Sequence, residues 1–220
     1  MNLNLKKFIG RGYSRKCYIH PENDNLCVKI ALKKNKFVER EMYRELGVYM
    51  SIKNLLPGHV AKIYENLIHI NTKKVAGYGM ICELIRDFDG KISQNINEYI
   101  NSGNSANDFE NSLNWIMKRL IFRDMFFFDF NRGNFVIRKN SNGSKTVIFV
   151  DIKSLNRTGY LGFLHLERIF SPLARIIMFR RMHRMYKEFD LKFPFRKLCH
   201  KKFFSTLFIT VRPVAYHQNI

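Results

Sequence analysis

An α+β chain is predicted, with antiparallel strands gathered in the N-terminal part and helices in the C-terminal part. Five short strand-like runs separated by turn residues lie within the first 85 positions, around one helical stretch, and apolar spacing of three and four residues dominates after Asp89-Gly90. Hydrophobic residues make up 46% of the 220 and include twenty Phe, so burial can offset the entropy of ordering the chain.

Leu5 to Ile9 reads as a first strand ending at Gly10-Arg11-Gly12, and Lys16 to His20 as a second. Pro21-Glu22-Asn23-Asp24-Asn25 is a turn by composition, and Leu26 to Leu32 a third strand centred on Val28-Lys29-Ile30. From Lys36 to about Leu55 the spacing of Met42, Leu46, Tyr49 and Ile52 is helical, and Pro57-Gly58 ends it. Val60 to Ile70 and Val75 to Ile85 suit a strand pair. Gln94 to Ile100 reads as a short helix and Asn107 to about Arg123 as a longer one. Phe135-Val136-Ile137 and Thr146 to Asp151 are strands around a polar turn at Asn140–Ser144. Leu164 to Phe189 is largely helical, with a break at Pro172.

The net charge of +20 favours anionic partners: nucleotide phosphates, phospholipid headgroups, lipopolysaccharide or nucleic acid. Gly162 to Lys202 holds eleven Lys or Arg against three Asp or Glu, so the C-terminal part is basic in its own right. No run approaches the roughly 18–20 apolar residues of a membrane span, and Met1 to Gly10 lacks the apolar block of a secretory signal. Cys17, Cys27, Cys82 and Cys199 have neither metal-ligand spacing nor the pattern of a disulfide framework, which suits a reducing cytoplasm. His183 reads as a surface residue, and Trp115 and Phe126 to Phe128 as core.

Phosphoryl transfer needs backbone N–H groups around phosphates, a Lys to hold them, oxygen ligands for magnesium and a carboxylate facing the acceptor hydroxyl. Gly10-Arg11-Gly12 provides the first two glycines of such a phosphate loop, with Arg15 where a third would stand. Lys29 follows Gly10 by nineteen residues, inside an apolar strand where an unpaired charge is costly. Its partner belongs on the next helix: Glu45, at the edge of the apolar stripe, is preferred, and Glu41 is the alternative. Asp129 precedes Asn134 by five residues in Asp129-Phe-Asn-Arg-Gly-Asn, the spacing of an acceptor-facing Asp and a metal-binding Asn. Asp151 ends the run Ile148-Phe149-Val150, seventeen residues beyond Asn134, and suits a second magnesium ligand. Asp87-Phe88-Asp89-Gly90 comes too early in the chain for that role. It reads as a turn after an inter-lobe connection around Cys82-Glu83-Leu84, with contact between Asp87 or Asp89 and ligand left open. In this order the parts describe a two-lobed protein-kinase-like fold: an antiparallel-sheet N-lobe to about residue 85 and a short helical C-lobe from 86 to 220, forming one domain.

The stretches Gly10-Arg-Gly-Tyr-Ser-Arg-Lys-Cys-Tyr-Ile-His-Pro-Glu, Cys27-Val-Lys-Ile, Arg44-Glu-Leu and Asp87-Phe-Asp-Gly-Lys resemble the YrbL family, most specifically over residues 9–50 and 83–91. The resemblance implies a bacterial cytoplasmic protein of the PhoP regulatory network with a kinase-like fold. Several features depart from the general kinase pattern: Arg15, Phe127-Phe128 before Asp129, Asp151-Ile152-Lys153, and the lack of an Ala-Pro-Glu-like segment. They weigh against a protein substrate more than against nucleotide binding.

The expectation is therefore an ATP-dependent phosphotransferase using Mg2+. Gly10 and Gly12 cover the phosphates, Lys29 holds them, Glu45 positions Lys29, and Glu83 lies beside the nucleotide. Asp129 activates the acceptor, and Asn134 and Asp151 bind magnesium. Arg175, Arg180, Arg181 and Arg184 on the basic C-terminal helices would recruit an anionic acceptor or the inner face of the membrane. The rivals are a nucleotide-sensing pseudokinase without turnover and a basic nucleic-acid binder; the second has no recognition motif behind it. The acceptor, the regulation and the oligomeric state are left open.

Overall fold

The computed structural model describes residues 7–12, 15–31, 36–71, 76–123, 125–127, 131–152, 155–156 and 171–195. They form a mixed α+β chain built on antiparallel sheets. It divides into two compact units, one of Met1–Arg119 with Asn131–Ser154, the other of Leu120–Phe130 with Leu155–Ile220.

In the first unit, strands β1 (Phe8–Arg11), β2 (Arg15–Ile19), β3 (Leu26–Ala31), β4 (Ile63–Asn71) and β5 (Ala76–Glu83) form one antiparallel sheet in the order β1-β2-β3-β5-β4. Residues directly opposite in such a ladder share a face. Cys17 faces Lys29, Ile19 faces Cys27, Cys27 faces Cys82 and Lys29 faces Met80. That face packs a core of Ile19, Cys27, Ala31, Met80, Cys82 and Leu84 around Met42 of helix α1 (Lys36–Ile52). The helix ends at Ile52, three residues before the predicted Leu55, and the Lys53 N–H closes its last turn on the Tyr49 carbonyl.

Two further corrections concern strand ends. The second strand begins at Arg15 rather than Lys16, because Arg15 pairs with Ala31 and so joins the inward face. The first runs through Gly10 to Arg11, with a bulge between Phe8 and Gly10; the predicted start at Leu5 lies outside the described residues.

A second sheet joins β6 (Gln94–Asn95), β8 (Phe135–Lys139) and β9 (Lys145–Phe149). Asn95, expected in a helix, is instead its N-cap: its side chain accepts the Glu98 N–H while the Glu98 carboxylate accepts the Asn95 N–H, and α2 (Ile96–Asn101) follows. A short 3-10 turn, Ala106–Phe109, then leads into α3 (Glu110–Phe122). The β8–β9 hairpin turns through Gly143 at φ 80°, a conformation glycine adopts without a Cβ penalty. Phe149 joins the hairpin to the rest of the unit. Its N–H and carbonyl bond to His59 and Ala61, and its ring lies 4.6 Å from that of Phe135.

The second unit pairs β7 (Phe126–Phe127) with β10 (Leu155–Asn156) and contains α4 (Ser171–Glu188). The helical residues expected before Pro172 lie outside the described residues, and α4 itself begins at Ser171, one residue before the proline. The proline sits in the first turn, where its missing N–H has no intrahelical partner to lose. Met178, Met182, Met185 and Tyr186 are buried, whereas Arg180, Arg181, Arg184 and Lys187 are exposed. Among the described residues, no helix is long and apolar enough to cross a membrane.

Two stability measurements follow from this packing. Phe149 is 1% exposed, so Phe149→Ala should cost about 3–5 kcal/mol and lower the melting midpoint by roughly 10 °C in circular dichroism. A fall of under about 3 °C would contradict the packing. His59 stacks on Trp115 at 4.4 Å and donates from Nδ1 to the Val147 carbonyl at 2.8 Å. Burial depresses its pKa; the Val147 bond opposes this, and Arg138 and Arg119 add to it. A depressed folded value favours the neutral ring. Stability from it is complete above the unfolded value of about 6.5 and is lost as pH falls through the folded value. Urea melts at pH 7.5 and pH 5 should therefore show a larger loss for the wild type than for His59→Gln.

Candidate functional site

An open cleft of about 700 Å³ in the first unit is lined by Gly10, Gly12, Arg15, Cys17, Lys29, Glu83, Asn131, Asn134 and Asp151, among others. Its charged floor follows from the sheet register. Lys29 sits mid-strand on the inward face of β3, so its ammonium must find partners among buried groups. It bonds Glu45 Oε1 at 3.2 Å and also donates to the Val150 carbonyl. Glu45 is 1% exposed and one helical turn beyond Met42, which places it on the buried face of α1. It is Glu45, not Glu41, that meets Lys29.

Arg15 enters the same cluster from β2. Its guanidinium binds Glu45 Oε2 and reaches Asp151 Oδ2 at 3.4 Å. Two cations and two carboxylates are thus gathered at the cleft floor. Burial pulls the Lys29 pKa down, but Glu45, then Cys82 and Asp151, outweigh it and hold the ammonium charged well above its ordinary value. The Arg15 guanidinium follows the same pattern, with burial opposed by Glu45 and Asp151.

The β8–β9 hairpin explains how residues seventeen apart in sequence reach one wall. Phe135 opposite Phe149 puts Asn134 and Val150 at the same open end, where the Val150 N–H donates to the Asn134 carbonyl at 3.0 Å. Asp151 comes next. Asn131 opens a 3-10 turn by accepting the Gly133 N–H, and the turn carries Asn134 into the cleft.

Gly10 and Gly12 also line the cleft, but neither has positive φ. A Cβ at Gly10 would meet nothing within 4 Å, so the strand leaves open space there. Glu83 closes β5 with its carboxylate accepting the Lys62 N–H at 3.0 Å. Asp87 and Asp89 do not line the cleft. Asp87 Oδ1 accepts from Ser93 Oγ at 2.6 Å and the Lys139 N–H at 2.9 Å, holding a turn that Gly90 completes at φ 81°. Asp129 lies outside the described residues. Arg15 is the member of the cluster that spacing alone did not single out. Two-residue alternation from Cys17 and Ile19 would have put it on the Lys29 face.

Among the described residues, no group of three or more His, Cys, Asp or Glu side chains could hold a metal on its own. Asp151 and Asn134 line the same cleft with a carboxylate and an amide.

Comparison with known proteins places the chain. The uncharacterized protein YrbL of Escherichia coli (strain K12) is 31% identical over 101 residues, covering 45% of this chain and 46% of the relative. The protein of the same name from Shigella flexneri matches with the same identity and coverage. The aligned stretch thus spans about half the length of these relatives. A family model described as PhoP regulatory network protein YrbL matches residues 1–192, and on that match the chain belongs to the YrbL family of PhoP regulatory network proteins.

Proposed function

We propose that the chain is a protein-kinase-like, two-lobed ATP-dependent phosphotransferase, and that the cleft over Lys29 receives the nucleotide. The supporting observation is the Lys29–Glu45 ion pair at 3.2 Å in the floor of a cleft that Asn134 and Asp151 also line. The cleft volume, about 700 Å³, suits a ligand of nucleotide size. Lys29 would hold phosphate oxygens with its charge, and Glu45 would keep its ammonium in place. Gly10 would let the backbone approach the phosphates closely, and Glu83 lies along the same wall. Asn134 and Asp151 would hold magnesium, which supplies charge neutralisation to the triphosphate. Asp129 is assigned the acceptor-facing role by its spacing from Asn134. The exposed arginines of α4 would recruit an anionic acceptor, either a small molecule or one at a membrane surface.

One observation favours a second reading. Arg15 already neutralises Asp151 at 3.4 Å, so the carboxylate is not waiting for a metal. A nucleotide-sensing module without turnover would use such a pairing as it stands.

Thermal denaturation with Mg-ATP tests binding. Nucleotide at about a hundred times its dissociation constant should raise the midpoint by about 5 °C or more. Lys29→Met should weaken binding roughly tenfold or more, and it should still fold because Arg15 continues to neutralise Glu45. No shift with the wild type would end the proposal. Phosphate transfer from labelled ATP to metabolites and envelope extracts, lost in Asp129→Ala, supports the phosphotransferase; binding without transfer supports the sensor.

Arg15→Met separates the readings further. If Arg15 stands in for metal at Asp151, its removal should make binding depend more steeply on magnesium in a titration at fixed ATP. An unchanged magnesium profile would remove Arg15 from that role.

A further inference from the structure

Three cysteines scattered through the sequence come together on the inward sheet face. Cys17 lies opposite Lys29, and Cys27 lies opposite both Ile19 and Cys82. All three are free thiols, and the Cys27 thiol donates to the Glu83 carbonyl at 3.8 Å. Cys27 and Cys82 are buried, while Cys17 is partly exposed and lines the cleft.

Access to Cys17 comes from its other neighbour. The residue opposite it on β1 is Gly10, which has no side chain to cover the thiol, and an added Cβ there would touch nothing within 4 Å. Cys17 therefore sits between an open flank and the Lys29 ammonium, with Arg15 two residues away on the same strand. Partial exposure and a neighbouring Lys or Arg are what distinguish reactive cysteines from inert buried ones.

We propose that Cys17 is a nucleophilic thiol and a modification site for small disulfides entering the cleft from the Gly10 side. The Cys17 thiolate attacks one sulfur of the disulfide, the reagent's S–S bond breaks, and a mixed disulfide forms. The other half leaves as a thiolate and takes a proton from water. The reagent is itself the oxidant.

The titration pattern agrees with this geometry. The Cys27 thiol lowers the Cys17 pKa; burial and Cys82 oppose it, and Lys29 and Arg15 assist. Cys27 is pushed up to about 12, chiefly by the neighbouring Cys17 and by burial, so it stays protonated and donates to the Glu83 carbonyl. Without a second thiolate to resolve it, the adduct persists as a mixed disulfide. Resting on the nucleotide reading above, this adduct beside Lys29 would exclude Mg-ATP.

The experiment uses the full chain in a Cys199→Ser background, since Cys199 lies outside the described residues. Iodoacetamide alkylation should show one fast thiol per chain, at least about fivefold faster at pH 7 than in the urea-unfolded chain. The midpoint of its pH–rate profile should fall below about 8.5, and Cys17→Ser should abolish the fast phase. Glutathione disulfide should add one glutathione by intact mass, reversed by dithiothreitol. A fast phase that survives Cys17→Ser, a midpoint at or above the free-thiol value, or an intrachain disulfide in place of the adduct would overturn the proposal. The glutathione adduct should lose the Mg-ATP thermal shift, and dithiothreitol should restore it. An adduct that retains the shift would overturn the exclusion. If unmodified protein shows no shift with Mg-ATP, the nucleotide reading fails, and the alkylation rates still decide whether Cys17 is the reactive thiol.

Discussion

A four-charge cluster of Lys29, Glu45, Arg15 and Asp151 sets the geometry of the first unit. It joins three parts distant in sequence: the inward face of the large sheet, the buried face of α1, and the end of the β8–β9 hairpin. Each charge alone would be costly beneath a sheet, and removing one partner from a buried pair costs about 3–5 kcal/mol. Strand, helix and hairpin are therefore committed to one another. If the helix were rotated by one residue, Glu45 would leave its buried face, and Lys29 and Arg15 would keep their positive charge without it.

Stability alone does not account for such a cluster. Replacing a buried ion group with apolar side chains of similar volume is often neutral or stabilising. The rest of this sheet face is apolar or thiol, with Met80, Ala31 and Ile19 as neighbours. An isoleucine at position 29 and a leucine at 45 would have continued that packing. Polar groups at the wall of a 700 Å³ cleft, where solvent can reach Asp151, would suit the anionic ligand proposed above. The same cluster keeps the cleft floor near neutrality, because each cation has a carboxylate within 3.4 Å. A triphosphate entering this site would meet preorganised cations, one of which already holds a carboxylate.

Much of this was legible in the sequence because local rules and long-range order agreed. Lys29 stood out as a charge within an apolar strand, and Glu45 as a carboxylate at the edge of an apolar helix stripe. Asn134 and Asp151 could be brought together because the residues between them read as two strand arms around a polar turn. The misplaced start of β2 had the larger consequence. With the strand starting at Lys16, Arg15 reads as a loop residue in the place of a glycine, whereas Arg15 pairs with Ala31 and enters the ion cluster. A single residue at a strand end decided whether a guanidinium counted as a departure from a motif or as part of the site. The proximity of Cys17, Cys27 and Cys82 has a different origin. Their neighbourhood comes from the register of three strands, β5 among them, and is not written in their spacing.

The thiols and the charges share one cause. Alternation along β2 and β3 puts Arg15, Cys17, Cys27 and Lys29 on a single surface, so whatever polarises one group acts on the next. Gly10 leaves this surface uncovered at Cys17, on the side where the glycine-containing strand borders the cleft. A larger residue at position 10 would cover the sulfur and narrow the approach to Lys29 together. Access for a phosphate and access for a disulfide are thus not independent properties of this sheet. Both depend on the same missing side chain, and the ammonium of Lys29 that would attract the first also favours the thiolate that would react with the second.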